Sequence, residues 1–337
     1  MKVRLSVGSG SDAGRVRDLN EDHFLVRTSD GSKGNLFLVA DGMGGHQKGE
    51  IASQLAADIV AQSYYRLRGS PPDAISAAIR KANDTIYNQA STNPDLKGMG
   101  TTLTALVLDR DNAIVAHIGD SRAYLVRNGT IQQITRDHSW VAERVRQGLL
   151  TPEEAKNHRW RNVITNALGS RAEVRIDMTA TKVQAGDLIV LCTDGLPTMV
   201  PDDEIRRVAA EFDPPQAVET LIREAVETGG QDNITVVVVR IEEVPGAPAR
   251  SYDLPPPPVE EAARNPFSTI VIEPDEIPLL EEEGEALDER YVSDKRRRSP
   301  KPAPPPHPRS TPWLWWLIVA ALWATLILVI VLLPLRI

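Results

Sequence analysis

Four short segments centred on aspartate recur along the chain. They are Val39-Ala40-Asp41-Gly42-Met43-Gly44-Gly45-His46, His117-Ile118-Gly119-Asp120-Ser121-Arg122, Leu191-Cys192-Thr193-Asp194-Gly195 and Gly229-Gly230-Gln231-Asp232-Asn233. Each Asp borders a run of β-branched and aliphatic residues, so the carboxylates are expected at neighbouring strand ends, as hard oxygen ligands for Mg²⁺ or Mn²⁺. One Asp-Gly is ordinary turn chemistry; four such segments together point to one metal site. Asp41 is the natural bridge of a two-metal centre, because the glycine after it lets the Gly42 carbonyl approach a cation. Asp194 and Asp232 would complete a pair of ions about 3.5 to 4 Å apart, the separation used by two-metal phosphatases and nucleases. A hydroxide bridging such ions attacks phosphorus in line, with no protein nucleophile.

Around these acids stand residues for substrate. Arg17 is the best phosphate clamp, since a guanidinium binds phosphate oxygens bidentately. Glu21 and Asp22 are adjacent in an expected strand and so point to opposite faces, which lets only one meet the metals directly. His46 could protonate the leaving alkoxide, whereas His117, inside a strand, reads as a packed core residue. The single cysteine, Cys192, has neither a preceding His nor a following Arg near it, which argues against cysteine-phosphatase chemistry and for a buried strand thiol. It also excludes a disulfide scaffold and fits a reducing compartment. The Gly8-x-Gly10-x-x-Ala13 match to a dinucleotide fingerprint fails because no amphipathic helix opens after it.

These residues need strands to carry them. Strand patterns are expected at 3–7, 23–28, 35–40, 101–108, 113–117, 174–179, 188–193 and 234–241, and a hairpin joins 124–126 to 131–134 through Asn128-Gly129. Apolar residues at helical spacing predict helices at 50–67, 72–90, 202–212 and 215–228, with short helices at 138–147 and 152–157. Strand clusters separated by pairs of helices point to two packed sheets with helices outside, not a doubly wound parallel sheet.

The globular pattern covers residues 1–243. Residues 244–312 hold most of the 25 prolines and an acidic run near Glu281, and read as a solvated linker. Residues 313–333 carry no charge and, at about 1.5 Å per residue, match a bilayer core about 30 Å thick, so one transmembrane helix is expected. The basic run Lys295-Arg296-Arg297-Arg298 before it places the catalytic part in the cytoplasm and leaves residues 334–337 as a short external tail. The net charge of −8 disfavours nucleic-acid binding.

The chain resembles the metal-dependent Ser/Thr protein phosphatases of the type 2C, or PPM, family in its bacterial form. The resemblance rests on Ser11-Asp12-x-Gly14-x-Val16-Arg17-x-x-Asn20-Glu21-Asp22, the Asp41 segment, Gly98-Met99-Gly100-Thr101-Thr102, the Asp120 and Asp194 segments and Gly229-Gly230-x-Asp232-Asn233-x-Thr235-Val236, in that order. It implies an α+β fold, an αββα sandwich of two antiparallel sheets flanked by helices, to which the sequence adds the C-terminal transmembrane helix. It also implies a binuclear Mn²⁺ or Mg²⁺ centre. Asp41 would bridge the ions, the Gly42 carbonyl, Asp194 and Asp232 would complete their shells, and Asp22 would act mainly through water. Asp120 with Asp194 would hold a weaker third ion, and Arg17 would bind the substrate phosphate. Eukaryotic relatives place an acid histidine where this chain has Met43, and Thr193 replaces a frequent serine. Bacterial relatives carry a mobile flap beside the site; no motif here fixes its anchor residues, and 136–161 is the segment left open for substrate selection. The implied activity is hydrolysis of phosphoserine and phosphothreonine in proteins, opposing bacterial Ser/Thr kinases at the cell membrane, with membrane kinases and their substrates as partners. A catalytically silent membrane-tethered protein that docks phosphoproteins is the alternative, and metal-dependent nuclease activity is disfavoured by charge and motif order.

Overall fold

The computed structural model describes residues 3–28, 33–45, 47–244, 252 and 254. In chain order these form β1 (Arg4–Asp12), β2 (Asp22–Arg27), β3 (Asn35–Met43), α1 (Gln47–Arg66), α2 (Pro71–Thr92), β4 (Gly100–Thr101), β5 (Leu103–Asp109), β6 (Asn112–Ile118), β7 (Arg122–Arg127) and β8 (Thr130–Gln133). There follow α3 (Trp140–Arg146), α4 (Pro152–Asn157), β9 (Asp177–Lys182), β10 (Leu188–Cys192), α5 (Gly195–Met199), α6 (Asp202–Glu211), α7 (Pro214–Thr228) and β11 (Ile234–Glu243).

The strands make two antiparallel sheets, one ordered β1-β11-β10-β7-β8 and the other β2-β3-β5-β6-β9, with β4 paired to β3. Alternation along each strand divides the core into three layers. Leu36, Leu38 and Ala40 of β3 face α1 and α2, where Ala56, Val60 and Ile79 meet them. Cys192, Val190 and Val238 face α5 to α7. Phe37, Val39, Ile189, Leu191, Val237 and Val239 fill the space between the sheets. Phe37 is wholly buried there, and truncating such a residue to alanine costs about 3 to 5 kcal/mol.

The helices start where local chemistry satisfies their free N–H groups. Ser70 accepts from Asp73 N–H before α2, Asp213 accepts from Gln216 N–H before α7, and both helices begin with proline, whose missing N–H costs nothing there. The β7–β8 hairpin turns through Asn128 and Gly129 with φ of 51° and 77°, the left-handed pair that a two-residue hairpin requires. Beyond β11, the Tyr252 hydroxyl bonds the Asp109 carboxylate at the β5–β6 turn.

The expected α+β architecture of two antiparallel sheets with helices is present. Two details differ. β9 begins at Asp177 rather than 174, because Val174 and Ile176 are buried against the α1–α2 core before the ladder to β6 starts. The short α5 was not expected, since Pro197 lies inside it. Residues 313–333, the basic run at Lys295 and His46 lie outside the described residues. Among the described residues no helix is long and apolar enough to cross a membrane.

Candidate metal centre

The layer between the sheets is apolar at its base and polar at its top. The alternation that buries Phe37 and Val39 of β3 places Asp41 next on the same face. In the opposing sheet it carries Ile189 and Leu191 on to Thr193, and Val239 and Val237 on to Thr235. Asp22 of β2 and Asp41 are register partners, so two carboxylates stand directly opposite one another on adjacent strands, an arrangement that repels unless a cation intervenes.

Asp22 is 8% exposed. Its Oδ2 accepts from the hydroxyls of Thr193 and Thr235, each at 2.7 Å. Burial raises its pKa to about 7, with Asp194 and Asp232 adding to the rise and the two threonines opposing it. Burial first, then Asp232, raises Asp194 to about 6. Asp41 is held well above the usual carboxylate range by burial and then by Asp22, Asp194, Asp120 and Asp232, which marks it as the centre of the group. Asp120 is raised by burial and then by Asp194 and Asp137.

Whether these residues fit divalent cations can be judged from what they lack. Oδ1 of Asp22, of Asp120 and of Asp194 is buried without a hydrogen-bond partner. More than nine in ten buried polar groups are normally paired, so three such oxygens within one set of mutually repelling acids are positions for a counter-charge. Among the described residues no group of three or more His, Cys, Asp or Glu has the geometry of a formed metal cage. The donor set of carboxylates and a carbonyl, with no sulfur or imidazole, fits Mg²⁺ or Mn²⁺.

Asp41 and Gly42 are held by backbone. Asp41 N–H donates to Thr102 Oγ1 at 2.9 Å and Asp41 O accepts from Thr102 N–H at 2.9 Å. A Cβ on Gly42 would lie 2.1 Å from the Gly49 carbonyl oxygen, so only glycine lets the strand pass this close to the start of α1. Glu21, beside Asp22, turns the other way. Its Oε1 lies beside Gly49 in the first turn of α1, buried and without a hydrogen-bond partner, whereas Asp22 stands in register with Asp41 and so joins the group. Arg17 Nη2 meets Asp232 Oδ2 at 2.6 Å while the side chain stays 41% exposed, leaving donors for an oxyanion.

Asp120 has a support that the sequence did not reveal. His138 Nδ1 accepts from Gly119 N–H at 3.1 Å, its Nε2–H donates to Asp177 Oδ2 at 3.1 Å, and its backbone N–H donates to Gly119 O at 2.7 Å. Burial keeps this imidazole neutral by lowering its pKa, against the pull of Asp177. His117 is the packed histidine expected, 1% exposed and lowered to about 3 by burial and by His138. Burial likewise raises the Cys192 thiol to about 12, so it is inert.

The segment after His138 has a small core of its own. Trp140 stacks on His158 with centroids 4.8 Å apart and meets Trp160 edge-on at 4.7 Å. The guanidiniums of Arg144 and Arg159 lie 4.9 Å over Trp140 and Trp160 respectively. Hydrogen bonds from Trp140 N to Val163 O at 2.8 Å and from Thr165 N to His138 O at 2.8 Å close its base.

Comparison with known proteins agrees with this geometry. The family model described as Protein phosphatase 2C matches residues 10–233. The serine/threonine phosphatase stp of Listeria welshimeri is 36% identical over 235 residues, 68% of this chain and 93% of that protein. The serine/threonine protein phosphatase PstP of Mycobacterium tuberculosis is 40% identical over 238 residues, 70% of this chain and 45% of that protein. The crystal structure of M. tuberculosis PstP/Ppp superposes with a TM-score of 0.65 at 40% identity, covering 71% of this chain and 99% of the other. A structure of the PstP catalytic domain in complex with two manganese ions has a TM-score of 0.64 at 38% identity, covering 71% of this chain and 99% of that one. With motif order, sheet topology and the carboxylate group in agreement, this chain belongs to the protein phosphatase 2C family.

Proposed function

We infer that this chain is a protein-serine/threonine phosphatase that hydrolyses phosphoserine and phosphothreonine at a binuclear Mn²⁺ or Mg²⁺ centre. The observation that carries the reading is the set of buried, partnerless carboxylate oxygens of Asp22, Asp120 and Asp194 around Asp41. Asp41, Asp194, Asp232 and the Gly42 carbonyl would hold the two ions. Asp22, whose Oδ2 is occupied by two threonine hydroxyls, has only Oδ1 left to offer, directly or through water. When bound, the cations supply positive charge for the phosphate oxygens and bring the pKa of water toward neutrality. Arg17 would orient the phosphate through its remaining donors, charge-assisted bonds worth about 1.5 to 3 kcal/mol each.

Several parts of the reading rest on the sequence. His46 would donate a proton to the leaving alkoxide. Asp120 would hold a weaker third ion. Residues 313–333 would anchor the enzyme in the cell membrane with the catalytic domain in the cytoplasm, where membrane Ser/Thr kinases and their substrates are partners. Turnover of p-nitrophenyl phosphate and of a phosphothreonine peptide, with and without Mn²⁺, tests the core of this. No turnover of either at saturating metal would leave a docking protein in its place. Calorimetric Mn²⁺ titration of Asp120→Ala should lose the weakest binding event and keep the other two.

A further inference from the structure

Asn233 follows Asp232 and is 5% exposed. Its amide reaches three backbone groups on a segment more than two hundred residues earlier. Oδ1 accepts from Glu21 N–H at 2.8 Å, and Nδ2 donates to Ala13 O at 3.0 Å and to Leu19 O at 2.9 Å. These three partners bracket the connection between β1 and β2, and Arg17 lies between them. No strand ladder holds this connection. Its other ties to the same turn are Arg15 N–H and Val16 N–H to Gly230 O, at 2.8 and 3.3 Å, and the Arg17–Asp232 ion pair.

One acceptor and two donors on a single planar group is the hydrogen-bonding pattern of a carboxamide. An aspartate in its place would keep the acceptor for Glu21 but set oxygen against the carbonyls of Ala13 and Leu19. A buried group left unpaired in this way costs more than the bond it replaces gained.

We propose that Asn233 is the positioning residue of the phosphate clamp: by holding both ends of the Ala13–Glu21 connection it fixes where Arg17 stands beside Asp232, and so sets phosphate affinity without touching phosphate. The proposal rests on Arg17 as the clamp. A turn that carries a metal carboxylate thereby also carries, one residue on, the group that registers the phosphate arm against it. Small displacements of a charged positioning group have large effects on binding and rate.

The test uses the full chain with Mn²⁺, p-nitrophenyl phosphate as substrate and inorganic phosphate as competing ligand. Asn233→Asp is expected to raise the phosphate inhibition constant and KM about tenfold, with a smaller fall in kcat, as loss of a charge-assisted bond would. Manganese affinity by calorimetry should stay within about twofold, since the carboxylates are intact. In an Arg17→Ala background the same substitution should change phosphate inhibition by less than about twofold, because a shared interaction is not lost twice. Asn233→Ala supplies the same comparison if the aspartate variant is recovered unfolded. An unchanged inhibition constant in the Asn233 variants, effects that multiply with Arg17→Ala, or a defect confined to manganese affinity would each overturn the proposal. Phosphate inhibition unchanged in Arg17→Ala alone would overturn the clamp itself, and the positioning role with it.

Discussion

The carboxylate end of the sandwich and the segment from His138 to Thr165 are built on opposite terms. The acids sit on strand ends of both sheets, largely buried, and repel one another. That segment holds two short helices, and Trp140 of the first packs on His158 and Trp160 just after the second, with Arg144 over the Trp140 ring. The first region stores an electrostatic demand that an ion can meet. The second is held by ring stacking and by guanidiniums over the indoles rather than by repelling charge. His138 is the joint between them, since it opens that segment yet binds Gly119, next to Asp120.

The largest effect should come from Asp41→Asn. Turnover should fall by orders of magnitude, while the metal-free protein should melt higher than wild type and lose the rise in melting temperature that Mn²⁺ confers. A metal-free variant melting no higher would mean that the acids do not repel as their placement implies.

Next is the dependence of the metal-free fold on pH. Asp22 and Asp194 have folded pKa values of about 7 and about 6, and Asp41 and Asp120 are raised as well. Between the unfolded value of about 4 and these folded values the native state binds more protons than the unfolded one, so stability is full below about pH 4 and is lost as pH rises toward 7. Chemical denaturation of chelator-treated protein from pH 4 to 8 should show this decline, and Mn²⁺ should abolish its upper part. A metal-free protein equally stable at both ends would contradict it.

Smaller and confined to residues 138–165 is the effect of Trp160→Ala. Aromatic pairs contribute about 0.5 to 1.5 kcal/mol each beyond their buried area, so KM for a phosphopeptide should rise severalfold. Turnover of p-nitrophenyl phosphate should change less than about twofold, since substrate contacts remote from the reacting centre are absent there. An equal loss on both substrates would mean that this segment supports the acids rather than peptide binding. Smallest is Thr151→Ala, which removes the capping box of α4 at a cost of about 1 kcal/mol. It should appear as faster amide exchange within Pro152–Asn157 and nowhere else.

Much of this was legible in the sequence where the signal is local. Alternating aliphatic runs found the strands, Asn128-Gly129 found the hairpin, and glycines after strand-end aspartates marked Asp41 and Asp194. Arg17 was picked out by its chemistry and stands against Asp232 in the structure. What escaped depends on partners far apart in the chain. Thr193 and Thr235 converge on Asp22 only because two sheets face each other, and their hydroxyls alone look like ordinary strand residues. His138 has no motif that ties it to Gly119. Strand order is likewise a product of packing, and α5 was hidden by Pro197, which sits in a helix too short to miss its hydrogen bond.

The direction of β11 carries a last consequence. This strand begins beside Asp232 and runs 10 residues, roughly 30 Å at about 3.4 Å per residue, to Glu243, paired with Arg4. Tyr252 then touches Asp109 at the base of the other sheet. Glu243 and Tyr252 thus lie at the foot of the domain, with the acids at the crown. A surface or label coupled at Glu243 would therefore stand roughly 30 Å from the acids and leave their approach open.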